Sequence, residues 1–295
     1  MGLTELPDIA KVSDSVVRIL GQNPGPFTLQ GTNCYLLHGR VLIDTAEGGD
    51  DFIKLLREAL DQHGSTVTDI ILSHWHHDHV NGLPEVLRAL KQSTPPRVHK
   101  FPNADHDADV LEKLQSVYPD ALLHSLAEGQ SIALDDHGAT ATILHAPGHT
   151  TDSIAIRLST GELLTADTVL GEGTAVFEDL GVYLKTLQRL LDSLGTDGGE
   201  VRLLPGHGPV IVAGKDRIQT YISHRLEREK QVVDALNRGG AATIGDLVDR
   251  VYGAELAEQL KPAAARGLLL HLGKLQSERR AEETDGRWKI AGAKM

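Results

Sequence analysis

Seven side chains able to bind a metal stand in a fixed order along this chain. They are His74, His76, Asp78 and His79 in Ser-His-Trp-His-His-Asp-His, His149 in Pro-Gly-His-Thr, Asp167 in Thr-Ala-Asp-Thr, and His207 in Pro-Gly-His-Gly. Imidazole and carboxylate are the donors zinc takes where it is catalytic rather than structural. The chain must therefore adopt a fold that carries distant loops to one place.

The first 215 residues have the pattern of such a fold, because short β-branched runs alternate with helix-period stretches and turn residues separate them. Strands are expected over 15–20, 33–37 and 40–44, the last two joined by the tight His38-Gly39. Residues 51–63 place Phe52, Leu55, Leu56 and Ala59 on one face of a helix. Residues 68–72 read as a buried strand that delivers His74, and 83–90 as the helix after it. Residues 97–135 are poorly periodic apart from a short helix over 107–117. Strands over 139–144, 153–158 and 162–165 put His149 and Asp167 in loops at strand ends. A second amphipathic helix covers 181–194, and a strand over 201–204 runs into His207. Each donor thus falls just past a strand, where an α/β scaffold carries its chemistry.

From about Lys215 the pattern turns to almost continuous helix, broken at Gly239-Gly240. Helices near 243–251 and 263–276 and a hairpin at Asp285-Gly286 follow, an order that suggests a winged-helix module. The chain divides on this reading into a catalytic domain, 1–225, and a helical, winged-helix-like domain, 226–295.

Composition removes several function classes. With 40% apolar and 24% charged residues the chain reads as soluble and globular. It has no apolar run long enough to span a bilayer, so no membrane partner is expected. Glu5, Asp8 and Asp14 precede the first apolar run, whereas import peptides are basic. The expected location is cytoplasmic, with the mitochondrial matrix left open in the absence of a clear transit peptide. A single cysteine, Cys34, permits neither an intramolecular disulfide nor a thiolate cluster, and its apolar neighbours suggest a buried, inert thiol.

The net charge of −12 argues against sequence-independent binding to nucleic acid. Residues 226–295 hold 12 Lys/Arg and 11 Asp/Glu, and residues 1–225 hold 17 and 30. The acid excess therefore lies with the metal donors, where two Zn²⁺ would offset about four charges.

His74 and His76 alternate by two and can share one metal, with His149 completing that shell. Asp78 and His79 can face a second metal alongside His207, and Asp167 can bridge the pair. Two Zn²⁺ about 3.5–4 Å apart would ready a bridging hydroxide near neutral pH, with Asp78 orienting it and accepting its proton. Hydrolysis of an ester, thioester, amide or phosphodiester is the expected reaction. His77 reads as a spacer that points away from the metals.

These stretches, in this order, resemble the metallo-β-lactamase superfamily, which implies an αββα sandwich and leaves the substrate open. Further stretches narrow the likeness: Arg18-Ile-Leu-Gly-Gln-Asn-Pro-Gly-Pro with Thr28-Leu-Gln-Gly-Thr-Asn33, Gly171-Glu-Gly-Thr-Ala-Val-Phe-Glu-Asp-Leu180, and Tyr221-Ile-Ser-His-Arg225. With the tail, they resemble the β-lactamase-like protein 2 family, whose likeness implies an endoribonuclease acting on single-stranded RNA. Fungal thioesterases that release polyketides from acyl-carrier proteins form a sister group, so an acyl-carrier-protein thioester is the alternative substrate. Pro205-Gly-His-Gly-Pro209 and Val176-Phe-Glu-Asp179 lean toward the ribonuclease branch, and the acid balance leans away from it. A regulator that binds DNA without turnover is a third reading, opposed by the intact donor set.

The chain departs from the family pattern at Ala46, Asn81 and Ala166, where glycine is usual, and each side chain there crowds a loop next to the metals. Asp44 is a candidate to orient a ligand imidazole, His224 and Arg225 are candidates to meet an anionic substrate, and Asn33 is read as satisfying a turn. The leucine-rich 263–276 helix lacks a basic reading face, so no duplex DNA is expected. Its leucines suggest packing on the catalytic domain or on a second subunit, which leaves a homodimer open. Arg279, Arg280, Arg287 and Lys289 of the hairpin are placed to guide an RNA strand.

Overall fold

The computed structural model describes residues 2–195 and 199–292. Strands β1 (Ile9–Ser13), β2 (Val16–Leu20), β3 (Asn33–Leu37) and β4 (Val41–Ile43) form an antiparallel meander. Helix α1 (Asp50–His63) crosses to β5 (Asp69–Leu72), which lies parallel to β4. A left-handed Gly64 (φ 58°) ends α1, a conformation that glycine adopts without steric cost. The one-turn α2 (His77–Val80), α3 (Leu83–Leu90), β6 (Arg97–Lys100), α4 (Asp107–Gln115) and β7 (Leu123–Ser125) complete a mixed sheet in the order β1 to β7.

The second sheet holds β8 (Ser131–Ala133), β9 (Thr140–His145), β10 (Ile154–Leu158), β11 (Leu163–Ala166) and β12 (Leu203–Pro205), in the order β12-β11-β10-β9-β8. Helix α5 (Leu180–Ser193) precedes β12, and the 26-residue α6 (Gly214–Gly239) follows it. The tail consists of α7 (Ile244–Tyr252), α8 (Lys261–Ser277) and a hairpin of β13 (Ala281–Thr284) and β14 (Arg287–Ile290). Thr243 and Asp246 cap α7 reciprocally, each side chain accepting the other's backbone N–H.

Side-chain alternation builds the layers, since successive residues of a strand face opposite sides of its sheet. In β3, Cys34 and Leu36 join the core under α1 and α3, while Tyr35 and Leu37 join the core between the two sheets. In β5, Ile70 and Leu72 divide from Ile71 in the same way. Ala155 of β10 and Leu163 of β11 face a third core with Leu187 of α5 and Ile218 of α6. The result is the αββα sandwich.

Differences from the expected elements have physical reasons. β1 is a half-buried edge strand, and β6, β7 and β8 are short and carry charged or polar residues, so their sequences hold too little periodicity to mark them as strands. The leucines of α8 divide: Leu268, Leu272 and Leu275 close the tail's own core, only Leu270 reaches the core of the catalytic layers, and Leu269 is exposed. Position 225 lies inside α6, which gives Tyr221 and Ile222 to the third core and Val232 and Leu236 to the tail. Among the described residues no helix is long and apolar enough to cross a membrane.

Candidate metal centre

All seven expected donors meet at one edge of the sandwich. Past β5 the chain bends at His74 and Trp75 on its way to His76, and α2 then turns Asp78 and His79 inward. The β9–β10 loop brings His149, the end of β11 brings Asp167, and the end of β12 brings His207. Backbone hydrogen bonds tie these loops across the sheets: Ile154 N–H to Ser73 O at 3.0 Å, Asn33 N–H to Gly206 O at 2.7 Å, and Gly206 N–H to Ala166 O at 2.9 Å.

The donors form two groups that could each hold a cation, His74, His76, His149 and Asp167 in one, and Asp78, His79 and His207 in the other. In the first, His149 Nε2 lies 3.2 Å from His74 Nε2 and 3.0 Å from His76 Nδ1, which are 3.0 Å apart. In the second, Asp78 Oδ2 lies 3.2 Å from His79 Nε2 and 3.1 Å from His207 Nε2. Asp167 reaches both, with Oδ1 3.4 Å from His79 Nε2 and Oδ2 3.7 Å from His149 Nε2. Donors at normal zinc distances around a tetrahedron stand about 3.3 Å apart, so these separations suit a shared cation. His79 Nε2 and Asp167 Oδ1 are buried without a hydrogen-bond partner, which is costly for polar atoms unless a cation satisfies them. The residues fit the metal they suggest.

Four of the five imidazoles are oriented through their other nitrogen, which leaves the inward one free for a cation. Asp44 Oδ2 accepts from His79 Nδ1 at 2.7 Å, and Val176 O accepts from His149 Nδ1 at 2.8 Å. Gly31 O lies 3.3 Å from His207 Nδ1, and Ser73 Oγ lies 3.0 Å from His74 Nδ1. Ser73 Oγ donates to Asp44 Oδ2 at 2.8 Å, so Asp44 takes the orienting role considered for it. Asn33 donates to the carbonyls of Pro205 (2.9 Å) and Gly208 (2.8 Å), holding the turn that carries His207.

Electrostatics differ between the groups. Burial, with the neighbouring His79 and His149, pushes His74 well below the usual histidine range, and burial lowers His76 to about 4. Burial pushes His79 and His207 down too, but the carboxylates around them override it, raising His79 well above the usual range and His207 to about 9. His74 and His76 thus offer neutral imidazoles, whereas His79 and His207 exchange protons for a cation.

Backbone strain sits at the same edge. Asp44 (φ 60°), Ala46 (φ 52°) and Ala166 (φ 43°) occupy the left-handed region, so two of the three alanine or asparagine departures fall where glycine would relax the chain. Asn81 has φ −68° and needs no glycine.

A cleft of ≈ 430 Å³ opens over the donors. Pro26, Phe27, Leu29, Trp75, Leu170 and Val176 line it, as do Glu47 and Glu172, and Phe27 is 77% exposed. His77, expected to point away, is part of this wall, though in neither donor group. His224 and Arg225, expected at the substrate, do not line it. Arg225 is buried, donates to Thr174 Oγ1 and to Ala175 O, and stacks 4.7 Å over the Phe177 ring. It therefore shapes the loop that gives Val176 to His149. The basic hairpin is also engaged: Arg280 pairs with Glu229 at 2.7 Å, Lys289 with Glu282 at 3.2 Å, and Arg287 with Asp246 at 3.6 Å.

Residues 27–207 match the model of the metallo-beta-lactamase superfamily, and 243–288 match that of the beta-lactamase associated winged helix domain. The chain belongs to the metallo-β-lactamase superfamily. It is 39% identical over 279 residues to a beta-lactamase-like protein 2 homolog of Drosophila melanogaster, covering 92% of this chain and 91% of that one. It is 36% identical over 273 residues to the atrochrysone carboxyl ACP thioesterase AgnL7 of Paecilomyces divaricatus, covering 89% and 79%. The fold matches a beta-lactamase domain protein from Burkholderia ambifaria with a TM-score of 0.76 at 21% identity, over 97% of this chain and 95% of that one.

Proposed function

We propose that the chain is a zinc-dependent hydrolase of an acyl thioester, with two Zn²⁺ held by the seven donors. What carries the substrate choice is the cleft wall, which among the described residues has no lysine or arginine but presents Glu47 and Glu172 beside an apolar surface. A polyanion would bring its phosphates against those carboxylates, whereas an uncharged acyl chain loses only water from apolar area. This reverses the order of the two substrate classes expected from the sequence. Identity to a thioesterase over most of both chains supports it.

Bound zinc would supply Lewis acidity, making a water more acidic and polarising the scissile carbonyl. Asp78, the more exposed of the two carboxylates and part of the cleft wall, would orient that water and take its proton. Phe27, Leu29 and Val176 would hold the acyl chain and exclude bulk water from the thioester.

A second reading, cleavage of single-stranded RNA, draws on one observation: Phe27 and the Trp75–His106 pair, stacked with ring centres 3.7 Å apart, offer faces on which bases could stack. The test is to offer the zinc-loaded protein N-acetylcysteamine thioesters and labelled single-stranded RNA side by side. Thioester hydrolysis that Asp78→Ala abolishes is expected. RNA cleavage without thioester hydrolysis would reject the thioester proposal.

A further inference from the structure

The β2–β3 loop carries two of the stretches that singled out this chain, yet it provides no metal donor. It is folded tightly on itself. Gly25 and Leu29 exchange backbone hydrogen bonds at 3.1 and 2.9 Å, and the Thr28 hydroxyl donates to Asn23 O at 2.6 Å. At its end Thr32 is fully buried and forms a β-bridge with His207.

The Asn23 side chain grips Thr32 at two points. Its Oδ1 accepts the Thr32 backbone N–H at 2.9 Å, which fixes Nδ2 as the atom 3.0 Å from Thr32 Oγ1. An amide nitrogen of this kind only donates, so Oγ1 must accept there. The single hydroxyl hydrogen is then directed to the other neighbour, Oδ2 of Asp78, at 3.3 Å. The same loop offers Gly31 O to His207 Nδ1. Two of the three donors in the Asp78, His79, His207 group are therefore held from this loop. Among the described hydrogen bonds none joins it to His74, His76 or His149.

We infer that Thr32, steered by Asn23, is a positioning residue that orients the Asp78 carboxylate and sets the cation affinity of the Asp78, His79, His207 group alone. The inference rests on the reading of these side chains as metal donors. Without the hydroxyl, Asp78 would lose the one neutral side-chain donor that, among the described residues, aims Oδ2 between His79 and His207, and the carboxylate would be free to turn.

The test is equilibrium uptake of Co²⁺ by the metal-free full chain, followed by visible absorption, in wild type, Thr32→Val and Thr32→Ser. Valine keeps the branched shape without the hydroxyl, and serine keeps the hydroxyl. Two uptake steps are expected in the wild type, with one weakened about 10- to 100-fold in Thr32→Val and the other unmoved. Thr32→Ser is expected to restore the weakened step. Unchanged steps in Thr32→Val, equal weakening of both, or no rescue by serine would overturn the assignment. Should Thr32→Val not fold, Asn23→Ala, which frees the hydroxyl to turn away, is expected to weaken the same step, and unaltered uptake there overturns it. A wild type that takes up no Co²⁺ removes the metal reading and this inference together. Intact two-step uptake without thioester hydrolysis would remove only the substrate reading.

Discussion

Oδ2 of Asp44 stands 2.7 Å from Nδ1 of His79, and the hydroxyl of Ser73 donates to the same oxygen while standing 3.0 Å from Nδ1 of His74. One carboxylate thus orients an imidazole in each donor group. Asp44 does so from φ 60°, a conformation that costs a non-glycine residue about 1–2 kcal/mol and persists only where contacts over-determine it. Asp44→Ala is expected to lower zinc affinity about 10- to 100-fold, read by competition with a chromogenic chelator. Unchanged affinity would mean that these contacts do not orient the ligands.

Gly206 precedes His207, and a Cβ there would fall against Asp167 Oδ1 and 3.1 Å from His79 Cε1. Since Asp167 reaches both donor groups, Gly206→Ala should displace the carboxylate they share. A misplacement of about 1 Å costs about 10² in rate, so kcat/KM for the hydrolysed substrate is expected to fall about that far. Activity within twofold of wild type would show that the turn relaxes without moving Asp167.

Behind the His149 loop, the fully buried Lys100 lies 2.6 Å from Asp152 and 2.7 Å from Asp107. Asp152, also fully buried, accepts from the Thr150 hydroxyl at 2.7 Å, next to the candidate donor His149. Lys100→Met would leave a carboxylate buried without its counter-charge and should cost about 3–5 kcal/mol in urea unfolding. Lys100→Met with Asp152→Asn should recover part of that loss. A double variant no more stable than the single one would place the effect in the lost lysine packing.

The donor set was legible because its signal is local: His-X-His just past a strand, and single donors past strand ends. The sandwich was legible wherever a short apolar run ends at turn residues, as Asn33–Leu37, buried throughout, ends at His38-Gly39. Strand Arg97–Lys100 was not, since its one aliphatic residue is Val98 and its lysine is buried through an ion pair. The roles of Ser73, Thr32 and Arg225 depend on partners far along the chain, and no spacing rule encodes those. Arg225 illustrates the error that results: a charge on a helix suggests an anionic ligand, whereas here the guanidinium serves loop carbonyls and an aromatic face.

His271 of α8 is 2% exposed, and its Nδ1 has no hydrogen-bond partner. Burial lowers its pKa to about 3, and the nearby Arg225, Arg228 and Lys274 add to the effect. In the unfolded chain the same ring titrates near 6.5, so between those values the unfolded state holds a proton that the folded state refuses. The sign follows: this contribution leaves stability untouched above about pH 6.5 and reduces it as pH falls toward 3, by about 1.4 kcal/mol per pH unit. His271→Leu removes the titrating group and should flatten the decline. Urea unfolding of both chains at pH 7, 6 and 5 is expected to show the variant gaining on the wild type at each step down. Parallel profiles would mean that the folded chain accommodates the imidazolium, and that the joint between α6 and α8 is not sensitive to acid through this residue.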